Sequence, residues 1–152
     1  MGEQREWALS LVPYAIEAKK QWPGMRVACC VAQAALETAW GRRKIGGWNL
    51  WGIKDLRWDP GFVEATTHEV EDGRTVLKRL AFEDFDTPEA AFNAYGRLVT
   101  NSKYYAKARE AASLDQYVDK LSTSWATDPY YAAKVRTIIN ALELRQYETP
   151  PF

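Results

Sequence analysis

Apolar positions recur at helical spacing over most of this chain. From Arg5 to Gln21, Trp7, Leu11, Tyr14, Ala15 and Ala18 follow one another at intervals of three and four, or lie side by side, which predicts a moderately amphipathic first helix. Pro23 and Gly24 end it, and a second helix is expected from Met25 to Trp40. That segment is apolar on nearly every side, through Val27, Ala28, Val31, Ala32, Ala35 and Leu36, and such a helix belongs at the centre of a domain. Gly41 follows it as a C-terminal cap. Between Phe62 and Phe82 the period changes to alternation, with Val63, Ala65, Thr67 and Val70 before Asp72-Gly73 and Thr75, Val76 and Leu80 after it. An Asp-Gly pair between two such runs predicts a two-stranded hairpin. Asp86-Thr87-Pro88-Glu89 starts another helix that continues through Ala91, Phe92, Tyr95, Leu98 and Val99. Tyr104 to Ala112 and Leu114 to Ser124 read as two short helices. Asp128-Pro129 opens the last helix, with Tyr131, Val135, Ile138, Ile139 and Leu142 on one face. A frayed tail is expected from about 148 to 152. The fold class expected is therefore mainly α (α+β), a helical domain with a small β-hairpin lobe at about residues 62–82.

Length and charge narrow the picture further. A chain of 152 residues is one domain by length, 1–152, and is large enough to bury a core without metals or disulfides. The formal net charge is zero, so no global field recruits nucleic acid. No run approaches the ~20 apolar residues that span a bilayer, and no membrane partner is expected. The N-terminal stretch has an early acid, with Pro13 and Glu17 inside its apolar part, and does not read as a signal peptide. Synthesis in the cytoplasm is expected. Cys29 and Cys30 are adjacent in a helical segment and cannot bridge one another, which fits reduced, buried thiols. His68 is the only histidine, and no Cys or His cluster has zinc-ligand spacing, so no metal is expected. There is no phosphate-binding glycine loop and no nucleophile elbow to serve His68, and no cofactor is expected. The chain is read as a monomer.

The chemistry concentrates around Glu37. It is a single carboxylate in an otherwise apolar helical segment, and no cation lies within four residues on either side to pair with it. One reading is a solvated residue on a polar face. The other is a desolvated carboxyl that keeps its proton near neutral pH, as a general acid for glycosidic cleavage must. Just beyond it lies a loop crowded with Trp and Gly. Trp40, Trp48, Trp51 and Trp58 offer flat faces that pack on pyranose rings, or else pack the loop onto the domain. Gly46, Gly47 and Gly52 permit tight turns there.

Two separated motifs carry a family resemblance. Ala32 to Leu36, Glu37, Trp40 and Gly41, followed by Asn49, Leu50, Trp51, Gly52, Ile53 and Lys54, match a signature that reads AQAALESGWG, a short loop, then NLFGIK. Far downstream, Trp125-Ala126-Thr127-Asp128-Pro129-Tyr130-Tyr131-Ala132 matches YATDPxYA in the same order. The chain thus resembles the glucosaminidase-type peptidoglycan hydrolases, glycoside hydrolase family 73. The resemblance implies a lysozyme-like helical domain with a groove between the helical and hairpin lobes. It also implies hydrolysis of the β-1,4 glycan of peptidoglycan, usually on the reducing side of N-acetylglucosamine.

Related enzymes carry Thr-x-Glu on a hairpin strand, matched here by Thr67-His68-Glu69. Glu37 is then the acid and Glu69 the second carboxylate, unless Glu69 is merely the solvent-facing member of an alternating strand. Tyr131 is implied near the cleft, where it would orient the substrate acetamide in a substrate-assisted route, or else it is plain core. Trp40, Asn49, Trp51, Trp125 and Tyr130 are the substrate-binding candidates, and Asn49 is equally suited to fixing its loop. Trp125 replaces the usual tyrosine, and Tyr130 fills a variable position as an alternative to Tyr131 at the substrate. A bare domain of this kind looks like a phage or prophage endolysin, or a secreted antibacterial effector. Either would reach the periplasmic wall through holin-type lesions or a secretion machine. An N-acetylmuramidase of the same fold, and a non-catalytic glycan-binding or virion module, remain open from sequence.

Overall fold

The first helical stretch is interrupted. The computed structural model describes residues 2–54 and 62–148, and of residues 62–67, 69 and 79 the backbone alone. Trp58 and the tail at 149–152 lie outside the described residues. Helix α1 spans Gly2–Ser10 and helix α2 spans Val12–Gln21, so the single helix expected from Arg5 to Gln21 divides at Leu11. Pro13 is the cause, since it has no N–H to donate and its ring crowds the preceding turn.

Helix α3 (Val27–Glu37) is the central element, and every residue from Val27 to Ala35 is buried. It packs against α1, α2, a later helix α7 (Tyr131–Ala141) and a closing 3-10 turn, Leu144–Tyr147. Glu148, just after that turn, accepts a hydrogen bond from the Val27 amide at 3.1 Å and so closes the N-terminus of α3 from the far end of the chain.

Helix α3 ends at Glu37, three residues short of the expected Trp40. Thr38 is responsible. Its hydroxyl donates to the Ala34 carbonyl at 2.7 Å and accepts from the Gly41 amide at 2.7 Å. Within that bracket Ala39, Trp40 and Gly41 are all left-handed, with φ of 49°, 62° and 86°. Left-handed backbone costs a residue with a side chain about 1–3 kcal/mol and persists only where its surroundings over-determine it. Gly41 is required on a second count, because a Cβ there would meet the Trp7 indole at 2.5 Å. Glu37 is thereby left as the last helical residue, facing outward where the chain turns away.

The hairpin has the expected form. Strand β1 (Phe62–Glu71) pairs antiparallel with β2 (Arg74–Glu83), from Phe62 opposite Glu83 to Glu71 opposite Arg74. Asp72 and Gly73 have φ of 50° and 75°, the pair of positive values that a two-residue turn matched to strand twist needs. Its base is seated by buried Ala81 and Phe82, and the Glu83 amide donates to the Ile53 carbonyl at 2.9 Å. The tip is exposed, with Val70 and Leu77 at 60% and 66% of full accessibility.

The remaining helices complete the helical body. Helix α4 (Pro88–Asn101) is capped by the Thr87 hydroxyl and packs on α2. A 3-10 turn (Lys103–Tyr105), helix α5 (Ala106–Arg109) and helix α6 (Leu114–Trp125) follow, and α6 packs against α7. The whole is a mainly helical fold with one small antiparallel hairpin, as the hydrophobic pattern implied. Cys29 and Cys30 are free and buried inside α3.

Candidate active site

A groove of about 700 Å³ opens between the hairpin and the ends of α3, α6 and α7. Glu37 and Tyr131 lie on its helical side, with Trp51 and Trp125, while Lys78, Leu80 and Phe82 line it from the hairpin. The two halves of the chain that carried motifs thus face one space. Gly52, also at the groove, has φ of 68°, which lets the loop turn there without a side chain.

Glu37 lines the groove and is exposed by surface area, yet the protein packed around it substantially desolvates its carboxyl. The surrounding protein governs its proton affinity. Burial pushes the carboxyl above its ordinary value, and hydrogen bonds from Tyr131 and Trp125 pull part of the way back. Its place at the C-terminus of α3 works with burial, because the unpaired carbonyls of a helix end repel a negative charge. The Tyr131 hydroxyl donates to Glu37 Oε1 at 3.0 Å. Behind it, Gln33 Nε2 donates to Tyr131 Oη at 3.1 Å, and the Tyr95 hydroxyl donates to Gln33 Oε1 at 2.5 Å. Gln33 and Tyr95 are wholly buried. Burial also raises the Tyr131 phenol well above its ordinary range, so it stays a donor.

The sequence profile of the glucosaminidase family, described as mannosyl-glycoprotein endo-beta-N-acetylglucosaminidase, matches residues 12–144. The chain belongs to the glucosaminidase family, family 73 of the glycoside hydrolases. It is 35% identical over 150 residues to the peptidoglycan hydrolase FlgJ of Pseudomonas aeruginosa, covering 93% of this chain and 37% of that protein. It is 31% identical over 126 residues to the exo-glucosaminidase LytG of Bacillus subtilis, covering 78% of this chain and 44% of that protein. The chain therefore spans less than half the length of these two relatives. Among solved structures, a peptidoglycan hydrolase mutant from Sphingomonas sp. A1 superposes with a TM-score of 0.79 at 35% identity, covering 94% of this chain and 97% of that one. The catalytic domain of the Listeria monocytogenes autolysin Auto does so with a TM-score of 0.81 at 28% identity, over 97% and 88% of the two chains.

Against the family motifs, the structure brings some expected residues together and separates others. Glu37, Tyr131, Trp51 and Trp125 meet at the groove. Glu69 occupies a register position opposite Val76, on the strand face shared by Lys78, Leu80 and Phe82. Trp51 is only an edge of the groove, since it is 2% exposed, packs on Phe92 and Tyr95, and spends its indole N–H on the Cys30 carbonyl at 3.0 Å. Asn49, expected at the substrate, is buried away from the groove. Its amide nitrogen donates to the carbonyls of Ile53 and Glu83, and its oxygen accepts from the Ile53 amide at 3.0 Å. Trp40 and Trp48 pack against the edge of the core. Tyr130 points outward at 69% exposure, while Tyr131 turns in at 5%, which separates the two adjacent tyrosines. Trp125, the departure from the family tyrosine, still provides a donor near Glu37 through its indole N–H.

Three residues escaped sequence reasoning. Gln33 sits one helical turn before Glu37, and a polar side chain in so apolar a helix was the available signal. Tyr95 looked like an ordinary core aromatic of α4. Glu71, two residues beyond Glu69 on the same strand face, lines the groove in an ion pair with Lys78. No helix among the described residues is long and apolar enough to cross a membrane.

Proposed function

We propose that this protein hydrolyses the β-1,4 glycan of peptidoglycan as an endo-β-N-acetylglucosaminidase, with Glu37 as the proton donor. The observation that carries this reading is the Glu37 carboxyl, held at the groove with raised proton affinity and contacted by the Tyr131 hydroxyl. Cleavage begins with the Glu37 proton passing to the glycosidic oxygen as that oxygen leaves the anomeric carbon. The carboxylate so formed is stabilised by donors already in place from Tyr131 and Trp125, which need not reorganise when the charge appears. Glu69, across the groove on the hairpin, activates the water that completes hydrolysis. Tyr131 acts on Glu37 rather than on a substrate acetamide, because its single proton is already directed to the carboxyl.

The substrate assignment is supported by the family and by relatives named as peptidoglycan hydrolases, a glucosaminidase and an autolysin. The endolysin role finds no counterpart among the relatives named above. The reading is tested by digesting purified peptidoglycan, reducing the products with borohydride and identifying the alditol. Reduced N-acetylglucosamine on multi-sugar fragments is expected. Reduced N-acetylmuramic acid would make the enzyme a muramidase, and binding without cleavage would make it a glycan-binding module.

A further inference from the structure

We propose that Gln33 and Tyr95 are positioning residues, a buried relay that fixes the direction of the Tyr131 hydroxyl so that its proton faces Glu37. The argument is one of donor and acceptor counting. Tyr131 has a single hydroxyl proton, which goes either toward Glu37 or back into the core. Its other neighbour is Gln33, whose side-chain amide offers N–H₂ in one orientation and a carbonyl oxygen in the other.

Tyr95 decides between them. Its hydroxyl donates to Gln33 Oε1, which also takes the weaker Cys29 thiol at 3.5 Å, so Nε2 is turned toward Tyr131 Oη. With that N–H pointing at its oxygen, Tyr131 has among the described residues only Glu37 as acceptor for its own proton, at 3.0 Å. The opposite orientation would take the amide oxygen away from the Tyr95 and Cys29 protons and draw the Tyr131 proton away from the carboxyl. Gln33 and Tyr95 are at 0% exposure and Tyr131 at 5%, so no water competes for these bonds. Cooperative polarisation along such a chain strengthens its last member, the one that meets the reacting group.

The relay joins three helices, because Gln33 comes from α3, Tyr95 from α4 and Tyr131 from α7. Among the described residues, the charged or titratable groups around Glu37, besides Tyr131, are Lys54 from the loop, Glu71 and Lys78 from the hairpin, Asp128 ahead of α7, and the Cys29 thiol and Tyr95 phenol behind. Apart from Tyr95 itself, the test leaves them in place.

The inference rests on Glu37 being the acid, but it is measured without an activity assay. The midpoint of Glu37 is read by carbon-13 NMR of its side-chain carboxyl, assigned by the signal that Glu37→Gln removes. Tyr131→Phe should raise that midpoint by about one pH unit, since a hydrogen bond to the charged form is lost. Tyr95→Phe, far from the groove and nearly isosteric, should raise it by a smaller amount, and should add nothing once Tyr131 is already Phe. Gln33→Met, which keeps chain length and removes the amide, should move it the same way as Tyr95→Phe. A midpoint unmoved by Tyr95→Phe and Gln33→Met, or an equal increment with and without the Tyr131 hydroxyl, overturns the relay. If the midpoint moves as expected while the wild type cleaves no peptidoglycan, the relay stands and the acid assignment falls. If the wild type cleaves, Glu37→Gln does not, and the midpoint stays put, only the relay falls.

Discussion

Glu37 combines two properties that oppose each other energetically, since the burial that raises its proton affinity, as the proposed acid needs, also makes its charged form a poor contributor to stability. The folded state holds its proton more tightly than the unfolded chain does, where the ordinary value is 4.5. Its contribution is therefore fully present below that pH and is lost as pH rises through the higher folded value. Glu37→Gln removes this dependence. We expect urea unfolding across pH 4 to 8 to show the variant gaining stability over the wild type as pH rises, while peptidoglycan clearing is lost. A variant that clears walls, or one whose pH dependence matches the wild type, would contradict the assignment. Tyr131→Phe deletes one donor to the carboxylate, and such oriented donors are worth roughly 10²–10³-fold in turnover when they stabilise charge that develops in the reaction. A fall in kcat at nearly unchanged KM is the expected kinetic signature.

Asn49 ties its own loop to the base of the hairpin. Sequence alone allowed this residue either to bind substrate or to fix its loop, and in the structure its side chain is buried and bonded to the loop and the hairpin base. Its amide joins the loop at Ile53 to the end of β2 at Glu83. Asn49→Ala removes the acceptor of the Ile53 amide and the donor to the Ile53 and Glu83 carbonyls, so a loss of about 1–3 kcal/mol is expected by chemical denaturation. Were Asn49 chiefly a sugar ligand, KM would rise while unfolding stayed unchanged. Glu69 and Glu71 share one strand face, and Glu71 is engaged with Lys78. Glu69→Gln is expected to lower kcat more than Glu71→Gln does, measured on the same purified peptidoglycan. Hairpin register was legible because alternation and an Asp-Gly turn are local signals. The true ends of the helices were less so, since the breaks at Pro13 and Thr38 depend on single backbone and hydroxyl contacts that an apolar count does not register.

At the scale of the whole molecule, Glu148 closes the start of the helix that carries Glu37. Glu148 accepts from the first amide of α3, across 121 residues of sequence. Glu148→Ala removes this cap, and a cost of about 1–2 kcal/mol is expected, or a fall in Tm of about 2–4 °C for each kcal/mol. Glu148→Gln keeps an acceptor and should retain most of that stability. An equal loss in both variants would show that charge, not the hydrogen bond, holds the helix end. The class of fold, the central position of α3 and the two motif segments were all readable along the chain, because hydrophobic period and turn chemistry are properties of neighbouring residues. Glu37 was readable too, as an acid without a helical partner. Its electrostatic setting was not, because the Gln33, Tyr95 and Tyr131 bonds span 62 and 98 residues. Only burial of a shared core brings those side chains into register, so tertiary packing decided which hydroxyl meets the carboxyl and which amide stands behind it.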